Sequence, residues 1–212
     1  MTFAGRMRLL WSIVRRKQTL LLFPYMFTQG TSLSWTFGNF PTFITTGQGD
    51  IVKVFLAYGV VAAITSFGFG KLYDKIGSLI IVIPHFVLTA AGFIGLVLLS
   101  QQTQTNLPVL IVIGAFFGAT DMASNTINNV TISRQYSSNE SSTVFGFYRF
   151  SFCIGIALTS GLSAGVTWPW IMGWISITTI VAVVSFFFSL LEIKRITFLE
   201  LDKCMRKRKK KF

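Results

Sequence analysis

Residues 107–133 read LPVLIVIGAFFGATDMASNTINNVTIS, an apolar segment of membrane-spanning length that carries a carboxylate near its middle. A transmembrane helix needs about 20 predominantly apolar residues. Steps of three and four residues place Asp121 on one helical face with Asn125, Asn128 and Asn129. A carboxylate at mid-depth costs roughly 2.5–3.5 kcal/mol. The segment therefore predicts a membrane helix whose aspartate is shielded, paired or used.

The composition of the whole chain points to the same class of protein. Its 212 residues are 52% hydrophobic and 12% charged, and the mean hydropathy is +0.63. These values are typical of a multi-span membrane protein. Six segments are long and apolar enough to cross: 20–44, 51–70, 79–100, 107–133, 143–166 and 169–191. The predicted fold class is therefore an all-α integral membrane protein with six transmembrane helices.

Basic residues assign the orientation of these spans. Five lie within residues 1–19, nine lie between Lys194 and Lys211, and three more lie in the loops on the same side. By the positive-inside rule this side is cytoplasmic, so both termini are predicted to be cytoplasmic. The predicted organisation is a basic amphipathic segment (1–19) lying on the inner surface, a six-span domain (20–192) and a basic tail (193–212). The net charge of +12 is assigned to topology and to anionic lipid, and not to nucleic acid.

The loop after the second span carries a short glycine-bounded motif, GKLYDKIG (70–77). Gly70 and Gly77 permit a tight turn. Asp74 is suited to a neighbouring helix N-terminus and Lys75 to lipid headgroups. The motif resembles the loop signature G-x-L-x-D-[RK]-x-G-R of the major facilitator superfamily. An ordinary glycine-rich hairpin is the alternative interpretation.

The later half adds a second resemblance. The pattern G-x-x-D-x-x-x-N-T-x-x-N begins at Gly118, SSNESSTVF (137–145) follows, and FYRF (147–150) comes next. This order resembles the second half of the Unc-ninety-three-like membrane proteins, a divergent branch of that superfamily, over most of residues 8–192. The resemblance implies one half of a major facilitator fold, because the family has twelve spans. We therefore expect a piece of a larger product, a chain that pairs with another half, or a chain that no longer has a transport function.

Two functions follow from the resemblance. The first is an accessory or regulatory subunit of a potassium channel complex, or a trafficking factor for another membrane protein. The alternative is an ion- or proton-coupled secondary transporter of which this chain is one half. The expected partners are the lipid bilayer and another membrane protein, which is a channel subunit, a receptor or the first half itself.

Asp121, Asn125, Asn128, Asn129 and Arg149 form the predicted intramembrane polar seam. Three roles are open to Asp121: an ion or proton site, helix–helix stabilisation through hydrogen bonds, and contact with a partner. Arg149 either extends its side chain to the inner headgroups or pairs with Asp121. His85, which follows a proline, either binds a freed backbone carbonyl or carries protons.

The sequence holds no pattern typical of catalysis. It has no nucleophile–base pairing, metal-ligand cluster or phosphate-binding glycine loop. We therefore expect no enzyme activity, metal or cofactor. The predicted location is the plasma membrane or the endoplasmic reticulum, the latter because the terminal KKKF resembles a dilysine retrieval signal.

Overall fold

The computed structural model describes the backbone of residues 3–44, 47–76, 83, 85–87, 89–92, 94–95 and 106–209. Within this part of the chain the regular elements are all helical. They are α1 Phe3–Val14, α2 Lys17–Gly38, a 3-10 turn Phe40–Phe43, α3 Gln48–Ile76, α4 Leu107–Gln135, α5 Ser138–Gly165 and α6 Trp168–Lys209. The described positions between 83 and 95 are helical as well. Gly77 and most of the predicted span 79–100 lie outside the described residues.

Four helices are long and apolar enough to cross a membrane, which confirms the all-α membrane class. They are Gln48–Lys75, Leu107–Gln135, Ser138–Gly165 and Pro169–Glu192, and they correspond to four of the six predicted spans. The number six is not confirmed by the described residues. Helix α2 occupies the first predicted span with 22 residues, enough for about 33 Å of helix. Helix α2 is not among the four because its many hydroxyl and amide side chains lower its mean hydropathy.

The position of α2 explains why it tolerates this polarity. It packs along α5 and α6, while α3 packs along α4. Thr28, Gln29 and Thr31 of α2 are buried by these neighbours and therefore do not face lipid. Buried polar groups are stable where they find hydrogen-bond partners within the bundle.

Glycines allow the closest helix contacts. A Cβ atom at Gly118 of α4 would collide with the backbone carbonyl of Tyr58 in α3. In the same way, a Cβ atom at Gly30 of α2 would collide with the carbonyl of Phe152 in α5. At Gly114, one turn from Gly118, the added Cβ would lie 2.7 Å from Val54 Cγ1. Small residues at such crossings are typical of membrane helix packing.

Two clusters of buried side chains fill the bundle at opposite ends. The cluster on the side of the chain termini centres on Leu22, Tyr25 and Phe186. The other centres on Trp35 and on aromatic and aliphatic residues of the 3-10 turn, α3, α4 and α6. The polar residues of α2 and α4 lie between the two clusters along their helices, at the depth where the functional candidates are found.

Candidate functional site

Asp121 is tied to the neighbouring helix by one hydroxyl. Tyr58 of α3 donates its phenolic hydrogen to Asp121 Oδ2 over 2.8 Å. Gly118, one turn before Asp121, lets the backbones of α3 and α4 come into contact beside this bond. A hydrogen bond to an ionised group is stronger than a neutral one. The carboxylate therefore has a positioned donor where lipid would offer none.

The asparagines of the polar seam meet α2 and α5 through Gln29. Asn128 Nδ2 donates to Gln29 Oε1 over 2.9 Å, and the Tyr148 hydroxyl donates to the same oxygen over 2.6 Å. Tyr148 Oη also lies 3.1 Å from Asn125 Oδ1, and Asn129 Nδ2 lies 3.4 Å from that oxygen. The amides thus link α2, α4 and α5 in one network.

A small cavity that several polar side chains help to line lies beside Asp121. It has a volume of about 30 Å³, and its lining includes Tyr25, Gln29, His85, Thr89 and Asp121. His85 Nδ1 is buried and has no hydrogen-bond partner among the described residues. The His85 and Tyr25 rings are in edge contact, with centroids 5.9 Å apart. A cavity of this size holds a water molecule where two to four polar partners surround it.

The donor set of this cavity suits a small hydrated species. A carboxylate, an imidazole, one phenol, an amide and several hydroxyls line a volume that admits one water molecule or a species of similar size. Among the described residues no group of three histidine, cysteine or acidic side chains could hold a metal ion. The chemistry on offer is thus proton exchange or cation binding at a single carboxylate.

Arg149 does not pair with Asp121. Its guanidinium carbon lies 5.0 Å from the centroid of the Tyr148 ring and 5.9 Å from that of Phe152, and its side chain is exposed on α5. No carboxylate lies within ion-pair distance of Arg149 in the described part of the chain. The Arg149 guanidinium therefore lies over the outer side of the Tyr148 ring, whose hydroxyl donates to Gln29. It belongs to the polar seam through Tyr148 and not through Asp121.

The facilitator-type motif is helical where the sequence predicts a turn. Helix α3 continues through Gly70, Asp74 and Lys75 to Ile76, so Gly70 is not a turn residue. The reason is that neither glycine nor charge interrupts the helical hydrogen bonds here. Asp74 Oδ1 accepts a 2.6 Å bond from Arg134 Nη2 at the last turn of α4. Asp74 thus joins a helix C-terminus through an arginine, and not a helix N-terminus as predicted.

Sequence reasoning missed the partners of the polar seam. Tyr58 and Tyr148 are common aromatic residues of apolar spans, and nothing local marks them. Gln29 carried a signal, because an amide in the middle of a span requires a partner. His85 was assigned to a backbone carbonyl as one option. In the structure it lines the same cavity as Asp121.

The sequence model of the Major Facilitator Superfamily matches residues 22–203. The chain therefore belongs to the Major Facilitator Superfamily, a class of multi-pass membrane proteins. No curated protein and no solved structure matches the chain. The matched range contains the polar seam and the cavity beside Asp121.

Proposed function

We propose that this chain forms one half of a secondary transporter in which Asp121 couples transport to a proton or a small monovalent cation. The observation that carries the proposal is the cavity lined by both Asp121 and His85, together with the buried Nδ1 atom of His85, which has no hydrogen-bond partner among the described residues. An ionisable residue inside a membrane bundle is costly, and such residues mark ion or proton paths.

The superfamily supplies the mechanical setting. Facilitator substrate sites lie near mid-depth between two six-helix halves that rock against each other. A second six-span unit, on the same or a separate polypeptide, would form the opposing wall. Ligation at Asp121 would then alter the hydrogen bond from Tyr58 and, through it, the contact between α3 and α4.

The test compares ligand-dependent stability in Asp121→Asn and Asp50→Asn. Asp50 is a matched control because it lies at the opposite end of α3 from the motif and pairs with Lys53 over 2.8 Å. The purified protein is unfolded thermally from pH 5 to pH 8 in sodium, potassium or choline chloride. A ligand at a hundred times its Kd stabilises by about 2.7 kcal/mol. We expect a pH- or cation-dependent shift in wild type and Asp50→Asn, and none in Asp121→Asn. An equal shift in all three proteins contradicts the proposal.

The accessory role is the second candidate, and the exposed cation of Arg149 supports it. A charged group on the outer face of a span is costly unless protein or headgroups cover it. The Unc-ninety-three-like resemblance suggests a channel subunit or an escorted membrane protein as the cover. On this proposal Asp121→Leu and Arg149→Gln both reduce co-purification or surface delivery of the partner. An Asp121→Leu variant that assembles normally but loses a measured ion flux excludes this role.

A further inference from the structure

The amphipathic helix α1 and the first half of α5 enclose a groove of about 690 Å³. It lies at the end of the bundle where α1 joins α2, which the basic residues assign to the cytoplasmic side. A 2.6 Å ion pair joins Arg16, two residues after the end of α1, to Glu140 at the start of α5. The groove is separate from the cavity beside Asp121.

The lining of the groove changes from polar to apolar along α5. Asn139, Ser142 and Thr143 line it near the start of the helix, and Phe147 and Phe150 line it further into the bilayer. A phospholipid has the same order, with a polar headgroup at the surface and an acyl chain below. Leucine and methionine side chains of α1 complete the apolar wall.

The basic residues of the segment that contains α1 favour a lipid with an anionic headgroup. Residues 1–49 contain five basic side chains and no acidic one. Arg8 and Arg15 of this segment are exposed, and Glu140, the acidic residue beside the groove, is paired with Arg16. Attraction to an anionic surface is about 1 kcal/mol per basic residue close to it. One wall of the groove thus belongs to a positively charged segment, which the positive-inside rule places beside the leaflet that carries anionic lipid.

We propose that this groove binds one anionic phospholipid of the inner leaflet, with its acyl chain against Phe147 and Phe150 and its headgroup at Asn139, Ser142 and the exposed arginines. The bound lipid fixes α1 to the bundle. This site is independent of the transport proposal, because none of its lining residues touches the cavity beside Asp121.

A substitution at Gly146 tests the proposed lipid site most directly. Gly146 lines the groove, and a Cβ atom added there meets nothing within 4 Å. Gly146→Phe therefore fills the groove without a backbone clash. Gly161→Phe is the matched control, because Gly161 lies on the same helix in equally open space, about 22 Å further along. Thr143→Trp is a second groove-filling variant.

The experiment is native mass spectrometry of the purified full chain with phosphatidylserine or phosphatidylcholine of identical acyl chains. Wild type and Gly161→Phe are expected to retain one phosphatidylserine in preference to phosphatidylcholine. Gly146→Phe and Thr143→Trp are expected to lower this occupancy at least tenfold while the melting temperature without added lipid stays at the wild-type value. Arg8→Gln with Arg15→Gln is expected to reduce the preference about fivefold per arginine. Equal retention of both lipids by wild type, or undiminished retention by both groove-filling variants, overturns the proposal.

Discussion

Asp121 depends on the Tyr58 hydroxyl, and this hydroxyl can be removed without changing the shape of the site. Tyr58→Phe keeps the ring that stacks among Phe37 and Phe55 and deletes only the 2.8 Å bond to Asp121 Oδ2. Interhelical hydrogen bonds in membranes average about 0.6 kcal/mol and reach about 1.7. We expect Tyr58→Phe to cost about 1 to 2 kcal/mol, near the upper limit because the acceptor is a carboxylate. Denaturant unfolding in mixed micelles measures the loss.

Tyr73→Phe is the control for this prediction. Tyr73 lies on the same helix, and its hydroxyl is 3.5 Å from Thr131 Oγ1, too long for a strong hydrogen bond. Its ring still receives the Arg134 guanidinium, 5.0 Å from the centroid, after the substitution. We expect a loss below 0.5 kcal/mol. Equal losses in the two variants would mean that the carboxylate gains nothing from Tyr58.

The polar seam shows how far residue-level inference reached. The spacing predicted that Asp121, Asn125, Asn128 and Asn129 share one helical face, and each of them has a hydrogen-bond partner in the structure. It did not supply the partners. Tyr58 is 63 positions from Asp121 and Gln29 is 99 positions from Asn128. Such pairings depend on the relative rotation and depth of two helices, which hydrophobic periodicity alone leaves undetermined.

At the scale of helices, the crossing of α3 and α4 depends on a missing side chain. Gly118→Ala places a methyl group against the Tyr58 carbonyl, so the helices must separate. Overpacking of this kind costs about 1–3 kcal/mol. Gly161→Ala adds the same methyl group to α5 in open space, where alanine is the better helix former by up to about 1 kcal/mol. Thermal unfolding should show a loss for Gly118→Ala and no loss for Gly161→Ala. Similar melting temperatures for both would exclude close packing at Gly118.

The junction of α1 and α2 is joined to α5 by the pair of Arg16 and Glu140. The pKa of Arg16 is raised above its ordinary value because its guanidinium donates to the Glu140 carboxylate. A raised pKa in the folded state means that the charged arginine contributes stability below its ordinary pKa, and loses it only as the pH rises through the raised value. The contribution of Arg16 is therefore complete at neutral pH, and in acid the pair is lost by protonation of the carboxylate.

A double-mutant cycle of Arg16→Gln and Glu140→Gln measures this pair. Exposed ion pairs couple by about 0.2–1 kcal/mol, and the Arg16 side chain is 43% exposed. We expect a coupling in that range at pH 7, and its loss only at a pH below the pKa of Glu140, which the hydrogen bond from Arg16 lowers from its ordinary value. The control cycle uses Lys53 and Asp50, which pair within one helix and do not join two elements. Protease resistance of α1 should fall in both Arg16 and Glu140 variants and stay unchanged in the Lys53 variant.

The predicted bounds agree with the structure for α5, whose apolar part coincides with the helix, and differ from it for α2 and α6. The span 143–166 corresponds closely to the apolar part of α5. Helix α2 ends at Gly38, and a 3-10 turn with Pro41 near its start follows, so the predicted span 20–44 combines two elements. Helix α6 continues to Lys209, well past 191. Hydropathy identifies the part of a helix inside the bilayer, whereas backbone hydrogen bonding determines where it ends.

At the scale of the whole molecule, helices from the earlier half of the chain pack mainly on helices from the later half. Helix α2 packs on α5 and α6 from the later half of the chain, and α4 packs on α3 from the earlier half. The glycine contacts follow the same pairing, with Gly30 on the backbone of Phe152 and Gly118 on that of Tyr58. Nested repeats of three helices are a feature of facilitator halves. The interleaved arrangement brings Gln29, Asp121 and Tyr148 to one depth.

The predicted orientation of this bundle can be tested with two single cysteines in a Cys153→Ser, Cys204→Ser background. Gln48 and Ser138 are both exposed and begin helices α3 and α5, each of which follows a crossing in the predicted topology. Three predicted spans separate them, so the predicted topology places them on opposite faces of the membrane. The positive-inside rule places Ser138 in the cytoplasm and Gln48 outside it.

A membrane-impermeant maleimide is applied to intact cells, to digitonin-treated cells and to fully solubilised cells. The labelling pattern shows the orientation of the protein and the membrane in which it resides. Digitonin opens the plasma membrane selectively, so Ser138→Cys should react after digitonin and not in intact cells, because the basic residues hold that loop in the cytoplasm. Gln48→Cys should react in intact cells if the protein resides in the plasma membrane, and only after full solubilisation if it resides in the endoplasmic reticulum. Reaction of Ser138→Cys in intact cells would show that the orientation is the reverse of the predicted one. The arginines of α1 would then face away from anionic lipid, and the proposed lipid groove would lose its ligand.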